Sequence, residues 1–211
     1  MMNFEKQKES LIKHLIEARA LKNPKIIEAF NKIPRHLFVR KEYLSYAYED
    51  IPLPTFSGQT ISQPYTIAIM TETLDPKSGE KILEIGSGSG YQAALIGFCI
   101  GKKGKIITIE LEKDLVKFSK KNLKKTKLKN VEIINGDGKG GYSKEAPYDK
   151  CIITAACEEV PKAVKNQVKI GGRIVAPVND LFGQKMMVID KIGENKFNEK
   201  NLVSFVFVPL R

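Results

Sequence analysis

Several residue types and patterns are scarce in this 211-residue chain, and each scarcity excludes a class of function. Histidine occurs twice, as His14 and His36, both near the N-terminus. A serine nucleophile elsewhere in the chain would therefore lack the adjacent base it needs, which argues against a hydrolase. Cysteine occurs three times, as Cys99, Cys151 and Cys157, with no C-x-x-C spacing. An odd, unpaired set suggests neither a disulfide framework nor a zinc site, so no metal is expected and a reducing cytoplasm is the default. Cys99 and Cys151 sit among apolar neighbours and read as core. No apolar run approaches the roughly 20 residues of a membrane helix. The first ten residues, MMNFEKQKES, carry no apolar signal core. Internal repeats and low-complexity linkers are lacking too, so one domain of 1–211 is expected.

Arginine is also scarce. The net charge is +11, yet it rests on 30 Lys and only 5 Arg. Charge of this size raises nucleic acid as a partner. Base readout and bidentate phosphate clamping favour Arg, however. Eleven of the lysines lie between Lys102 and Lys129. They fall mostly on one predicted helix whose buried stripe is Leu111, Leu115 and Phe118, with Lys113, Lys117, Lys120, Lys121, Lys124 and Lys125 off it. A solvated face explains them better than a nucleic-acid patch. No nucleic-acid or membrane partner is expected, and no leftover apolar segment asks for a second copy, so a monomer is.

The most informative stretch is KILEIGSGSGY, Lys81 to Tyr91. Ile82, Leu83 and Ile85 read as a short buried strand interrupted by Glu84. Gly86, Gly88 and Gly90 make a turn, and Gln92 to Ile100 reads as a helix. Glycines let backbone approach a ligand closely, and a helix start offers free N–H groups. A dinucleotide reader needs G-x-G-x-x-G; here Tyr91 stands where the third glycine belongs. The G-x-G-x-G spacing after an acid resembles the first motif of class I methyltransferases, which bind S-adenosyl-L-methionine. An acid near the turn suits that ligand's ammonium and sulfonium better than it suits a pyrophosphate.

Two further strand ends add acids. Lys105 to Glu110 reads as a second strand, and Glu110 lies 20 residues after Gly90, where a carboxylate can accept both ribose hydroxyls. Val131 to Ile134 reads as a third, running into Asn135-Gly136-Asp137-Gly138; Asp137 can accept from an adenine amino group. Singly, Glu110 could be a solvated strand end and Asp137 a turn former. Together they mark the carboxyl edge of an open α/β sheet, where ligands bind.

Along the chain, residues 3 to 30 read as helical, with Leu11, Leu15 and Ile16 at helical spacing and a second helix starting at Asn23-Pro24. Pro34 ends it. Residues 31–66 hold Pro34, Pro52, Pro54 and Pro64 and no long periodic segment, a loop-rich extension of the kind that often carries function. From Ile67 a helix precedes strands near 82, 106, 131, 150 and 172, alternating with helices. The expected fold is α/β: a Rossmann-like, doubly wound, mostly parallel sheet on residues 67–211. Met186 to Asp190 and Leu202 to Val208 predict an antiparallel C-terminal strand pair, with strand order there left open.

The segment Gly58 to Tyr65, GQTISQPY, resembles the protein-L-isoaspartate O-methyltransferase family. So do Pro34-Arg35, Phe38-Val39, Ala47-Tyr48-Glu49-Asp50, Pro52-Leu53-Pro54, Met70-Thr71-Glu72, the glycine turn through Ala94, Gly136-Asp137-Gly138, Thr154-Ala155-Ala156, Gly171-Gly172 and the closing Phe207-Val208-Pro209-Leu210. The resemblance runs from about Arg19 to Leu210. GQTISQPY and the final FVPL are far more specific than the glycine motif. The chain departs from the family's pattern at Arg40, where Pro is frequent, at Thr55-Phe56-Ser57-Gly58, where a second glycine is frequent, and at Ser87, where Thr is commoner.

The resemblance implies methyl transfer from S-adenosyl-L-methionine to the free α-carboxylate of L-isoaspartyl residues in damaged proteins, with D-aspartyl residues a slower target in some relatives. The ester then loses methanol through a succinimide. An α-carboxyl has a pKa of roughly 3.3–3.7 and is already ionised at pH 7, so no general base is required. Hydrogen-bond donors suffice to hold it. Ser62 is the expected catalytic residue, with Thr60 as second substrate contact. Cofactor contacts are expected from Thr60, Ile61, Ser62, Glu84, Gly86, Ser87, Gly88, Gly90, Glu110, Leu111, Asp137 and Gly138. The rival readings are a class I RNA methyltransferase and a non-catalytic binding module. Against the first, Thr154 to Glu159 lacks the Asn/Asp-Pro-Pro-aromatic motif of amino-adenine methylation, and Cys157 lacks the preceding Pro common in cytosine methylation. Against the second, the loop with Ser62 and the Glu110–Asp137 pair are intact.

Overall fold

The computed structural model describes residues 3–180, 183–204 and 207–210. Two helices open it, α1 (Phe4–Glu17) and α2 (Pro24–Lys32). Asn23 caps α2 through its side chain, accepting from the Lys25 N–H at 2.9 Å, and Pro24 occupies the first turn. The buried face of α1 is Leu11, Ile12 and Leu15 with the Lys8 stem. Ile16, expected on that face, is instead exposed at its edge, in the last turn of the helix. Residues 33–59 run through two 3-10 turns into β1 (Leu53–Pro54), which pairs antiparallel with β2 (Thr60–Ile61). This small hairpin was not visible as a periodic pattern, since two-residue strands carry no period.

Then α3 (Pro64–Leu74), β3 (Lys81–Ile85), α4 (Tyr91–Ile100), β4 (Lys105–Glu110), α5 (Lys113–Leu123), β5 (Val131–Asn135), β6 (Tyr148–Ile153), α6 (Lys162–Gln167) and β7 (Val168–Asp180) alternate. β8 (Gly183–Gly193) and β9 (Lys196–Ser204) close the sheet. The order is β5-β4-β3-β6-β7-β8-β9. β3 to β7 pair in parallel, and β8 and β9 are antiparallel, which settles the C-terminal order. β9 starts six residues before the expected Leu202, taking up most of the charged segment expected as a turn. As the sheet's last strand among the described residues it tolerates Lys196, Asn198 and Lys200, and charge on an edge discourages further pairing. The expected strand through Val208 crosses Phe205 and Val206, which lie outside the described residues.

Alternation along the strands divides the core. Ile82, Ile106, Ile152 and Val175 pack with Met70 and Leu74 of α3 and Ala93, Ile96 and Ile100 of α4. Leu83, Ile107, Cys151 and Ile174 face the other way, onto Val160 and Val164. A third cluster joins α1, α2 and the 33–61 segment to α4 and to Val116 and Leu123 of α5. On α5 the buried face is Leu115, Val116, Ser119, Asn122 and Leu123; Phe118 is half-buried. Leu111 precedes the helix and is exposed, contrary to the expected stripe, because α5 begins two residues later.

Candidate active site

The chain leaves β3 to build β4 and β5 on one side, then returns to build β6 on the other. That reversal between β3 and β6 is the switch point where open α/β sheets hold ligands. A crevice of about 910 Å³, counted out to its open mouth, lies there. Its floor is the turn after β3, its walls come from the ends of β4 and β6, and the β2 segment Gln59–Ser62 lines it as a flap.

The glycine turn has dihedrals that side chains resist: φ is +95° at Gly86, +51° at Gly88 and +86° at Gly90. A Cβ on Gly86 would come within 2.5 Å of Thr154 Oγ1. That hydroxyl, at the end of β6, donates to Gly86 O at 2.6 Å and locks the turn to the neighbouring strand. A Cβ on Gly88 would meet the Thr60 carbonyl at 3.9 Å, which sets the flap against the turn. Gly90 does not line the crevice. It caps α4 and packs on Ser119 of α5, where a Cβ would meet Ser119 Cβ at 3.2 Å.

Glu110 lines the crevice with both carboxylate oxygens held: Oε2 accepts from Gly88 N–H at 2.8 Å and Oε1 from Glu112 N–H at 3.0 Å. Each oxygen keeps a lone pair for a ligand hydroxyl. Asp137 is exposed and does not line the crevice; its Oδ1 accepts from Lys139 N–H at 2.8 Å, capping a short 3-10 turn. Its neighbour Gly138 does line it. Leu111, freed from the helix, also lines it, as do Thr60, Ile61, Ser62, Gly86 and Ser87. The Ser62 hydroxyl is half-buried and has no hydrogen-bond partner among the described residues.

Glu84 was expected close to a ligand ammonium. It is instead fully buried in the sheet and absent from the crevice lining. Thr108 Oγ1 donates to its Oε2, and Ser87 Oγ bonds Thr108 Oγ1 at 2.7 Å, so Glu84 reaches the glycine turn through a relay of hydroxyls. Burial pushes its carboxyl up to about 8, against the lowering effect of Thr108 and with a further push from Glu110. A carboxyl whose folded pKa is raised binds its proton more tightly when folded. Its contribution to stability is whole below about 4.5 and is lost as pH rises through about 8. The ligand-free protein should therefore lose on the order of a few kcal/mol from this group across that window. Glu84→Gln should remove that part of the slope. Thermal melts across the window check this, and identical slopes in the two proteins would refute it.

Several lining residues escaped sequence reasoning. Gln92 of α4 is 7% exposed; its Nε2 donates to Thr71 Oγ1 at 2.8 Å, and its Oε1 is buried with no partner among the described residues. Tyr91, Met70, Thr154, Pro209 and Leu210 also line the crevice. The thiols offer no nucleophile: burial pushes Cys157 up to about 11, and its Sγ donates to Pro177 O at 3.5 Å.

Residues 6–211 match the family described as protein-L-isoaspartate(D-aspartate) O-methyltransferase. The chain belongs to the protein-L-isoaspartate O-methyltransferase family. It is 42% identical to the enzyme of that name from Staphylothermus marinus over 213 residues, covering 98% of this chain and 95% of the other. It is 44% identical to protein-L-isoaspartate O-methyltransferase 2 of Archaeoglobus fulgidus over 210 residues, covering 100% and 95%. Among solved structures it resembles a protein-L-isoaspartate O-methyltransferase with a TM-score of 0.87 at 32% identity, covering 96% of this chain and 65% of that longer one. A Plasmodium falciparum structure, in complex with S-adenosyl-L-homocysteine, shares the fold at a TM-score of 0.87 and 23% identity, covering 100% and 99%. As a family member the chain is an S-adenosylmethionine-dependent methyltransferase that acts on isoaspartyl residues in protein repair, and an RNA methyltransferase is not favoured.

Proposed function

We propose that Ser62, with Thr60 and flap backbone N–H groups beside it, holds the α-carboxylate of an L-isoaspartyl residue in line with the methyl group to be transferred. The observation that carries this reading is a hydroxyl without a partner among the described residues, on a flap that lines the same crevice as the glycine turn and Glu110. S-adenosyl-L-methionine supplies the methyl group. The residues present suit it. Glu110 offers two pre-aimed oxygens to a ribose diol, Gly86, Ser87 and Gly88 let a ligand lie against backbone, and the unpartnered Gln92 Oε1 can accept from an ammonium. Leu111, Ile61 and Gly138 offer walls for an adenine ring.

The substrate oxygen arrives ionised, so the chain need not move a proton. Ser62 and Thr60 donate without bringing charge, which leaves the carboxylate nucleophilic where a Lys or Arg would dull it. Placement alone can lower the barrier by roughly 7–11 kcal/mol. With the methyl donor bound, a carboxylate oxygen would take the methyl group and a neutral thioether would leave.

We read residues 1–211 as one catalytic unit in which 1–66 lays the flap over the 67–211 core, joined by the shared α1–α5 cluster. A monomer suits the exposed large apolar side chains, which include Ile16, Tyr46, Ile170 and Ile192 and amount to single residues rather than one segment. A cytoplasmic setting suits three free, buried cysteines. Among the described residues no helix is long and apolar enough to cross a membrane. Nucleic acid is not a partner in this reading: Lys113, Lys117, Lys120 and Lys121 form a solvated face of α5 with no arginine among them for bidentate phosphate or base contacts.

One assay tests the reading: labelled methyl transfer to an isoaspartyl peptide, its aspartyl twin and RNA. Label should enter the isoaspartyl peptide alone. Equal labelling of the twin, or labelling of RNA, would overturn it.

A further inference from the structure

The flap is a hairpin, and its two ends are tied by different means. β1 and β2 contribute two rungs, Leu53 opposite Ile61 and Pro54 opposite Thr60. A hairpin this short is marginal without help. At the tip, Thr55 N–H donates to Gln59 O at 2.8 Å and Gln59 N–H to Phe56 O at 2.9 Å. Arg40 Nη1 donates to Thr55 O at 3.1 Å, and the Phe56 ring lies 4.8 Å from the Arg40 guanidinium and edge-on to Phe118 at 5.2 Å. The departures at Arg40 and at Phe56 thus brace each other.

The base is closed by Asp50. Its Oδ2 accepts from Gln63 Nε2 at 3.1 Å, and its Oδ1 accepts from Tyr65 N–H at 2.8 Å. Tyr65 N–H belongs to the first turn of α3, whose N-cap residue, Gln63, makes no side-chain capping bond. Such a donor lacks a partner within its helix, and a carboxylate at a helix start is favoured. Asp50 is held in turn. Arg35 is 1% exposed, donates from Nη2 to Ile51 O at 3.4 Å, and its charge acts on Asp50; His14 Nε2 lies 3.7 Å from Asp50 Oδ2. Ser62 sits between the last rung at Ile61 and the Asp50 clamp at Gln63.

We propose that Asp50 is a positioning residue for methyl transfer, fixing Ser62 by closing the base of the flap; this rests on the reading of Ser62 as the carboxylate holder. Asp50 does not line the crevice, so its loss leaves the contacts offered by Glu110, the glycine turn and Gln92 in place and disturbs only those of the flap. Misplacing a reacting group by about 1 Å can cost a hundredfold in rate.

The test uses the full chain with Asp50→Ala, Asp50→Asn and Ser62→Ala. Asp50→Ala should lower kcat on an isoaspartyl peptide roughly ten- to hundredfold, with a much smaller change in the KM for S-adenosylmethionine, whose Glu110 and glycine-turn contacts stay in place. Asp50→Asn should recover most of it, since its carbonyl can accept from Tyr65 N–H while Gln63 turns its amide to accept from the new NH₂. Amide hydrogen exchange should quicken at 60–65 in Asp50→Ala and stay the same at 86–92. The proposal fails if Asp50→Ala keeps wild-type kcat while Ser62→Ala is crippled. It also fails if activity in both Asp50 variants merely follows the folded fraction. Wild-type kcat in Ser62→Ala would instead overturn the reading of Ser62, and flap exchange would still report on Asp50.

Discussion

Replacing Ser62 with alanine should lower turnover on an isoaspartyl peptide by about a hundredfold, the cost of losing one placed donor or one well-aimed oxygen. Affinity for S-adenosylmethionine should change little. The flap contributes backbone and Ile61 to the crevice as well as the serine. The loss should therefore fall on kcat and on the peptide, leaving the cofactor's dissociation constant near its starting value. Among the described residues no base is aimed at Ser62, so the mutant's pH profile should keep its shape while its height falls. Single-turnover kinetics with saturating cofactor separate the two effects. Near-normal turnover would remove Ser62 from the chemistry, and a large loss of cofactor affinity would make it a binding residue instead.

The second large effect belongs to Glu110. Its two oxygens already accept from the backbone at Gly88 and Glu112 while facing the crevice. A glutamine there can accept with one end only; the other presents an NH₂ to a backbone N–H. Hydrogen bonds to charged groups contribute about 1.5–3 kcal/mol each. Glu110→Gln should therefore weaken S-adenosylmethionine binding by roughly ten- to a hundredfold, nearly as much as Glu110→Ala. The same change should loosen the Gly88 turn. Calorimetric titration checks this, and an unchanged affinity in Glu110→Gln would show that the carboxylate serves the loop alone.

Different physical signals made different parts of this site legible. β3 could be read because Ile82, Leu83 and Ile85, broken only by Glu84, make an apolar run ending in glycines, and a sheet buried on both faces needs such runs. Glu110 could be found by counting from the turn, because strand and crossover lengths in an α/β unit are constrained. Glu84 was misplaced because a period of two cannot say whether an acid at a strand's end turns toward the ligand or into the core; Thr108 on the next strand decides that. Leu111 looked like helix because its spacing to Leu115 is four, and the later start of α5 is not written in that spacing. Gln92 and Thr154 were hidden for a different reason. One reads as a helix residue and the other as a strand end, and only the β3–β6 reversal brings them to one crevice. The flap's clamp joins residues 13 and 15 positions apart across a loop, a separation that carries no periodic signal. GQTISQPY was legible by resemblance alone; nothing in its composition announces a hairpin.

In the proposed mechanism a flap hydroxyl holds an already ionised oxygen against a crevice shaped for the methyl donor. The most direct measurement is a crystal structure with S-adenosyl-L-homocysteine and an isoaspartyl peptide bound together. It should show Ser62 Oγ within hydrogen-bond distance of the peptide's α-carboxylate, with the other carboxylate oxygen facing the cofactor sulfur and Glu110 on the ribose. A carboxylate held by a lysine or arginine, or a flap lying far from the sulfur, would contradict it.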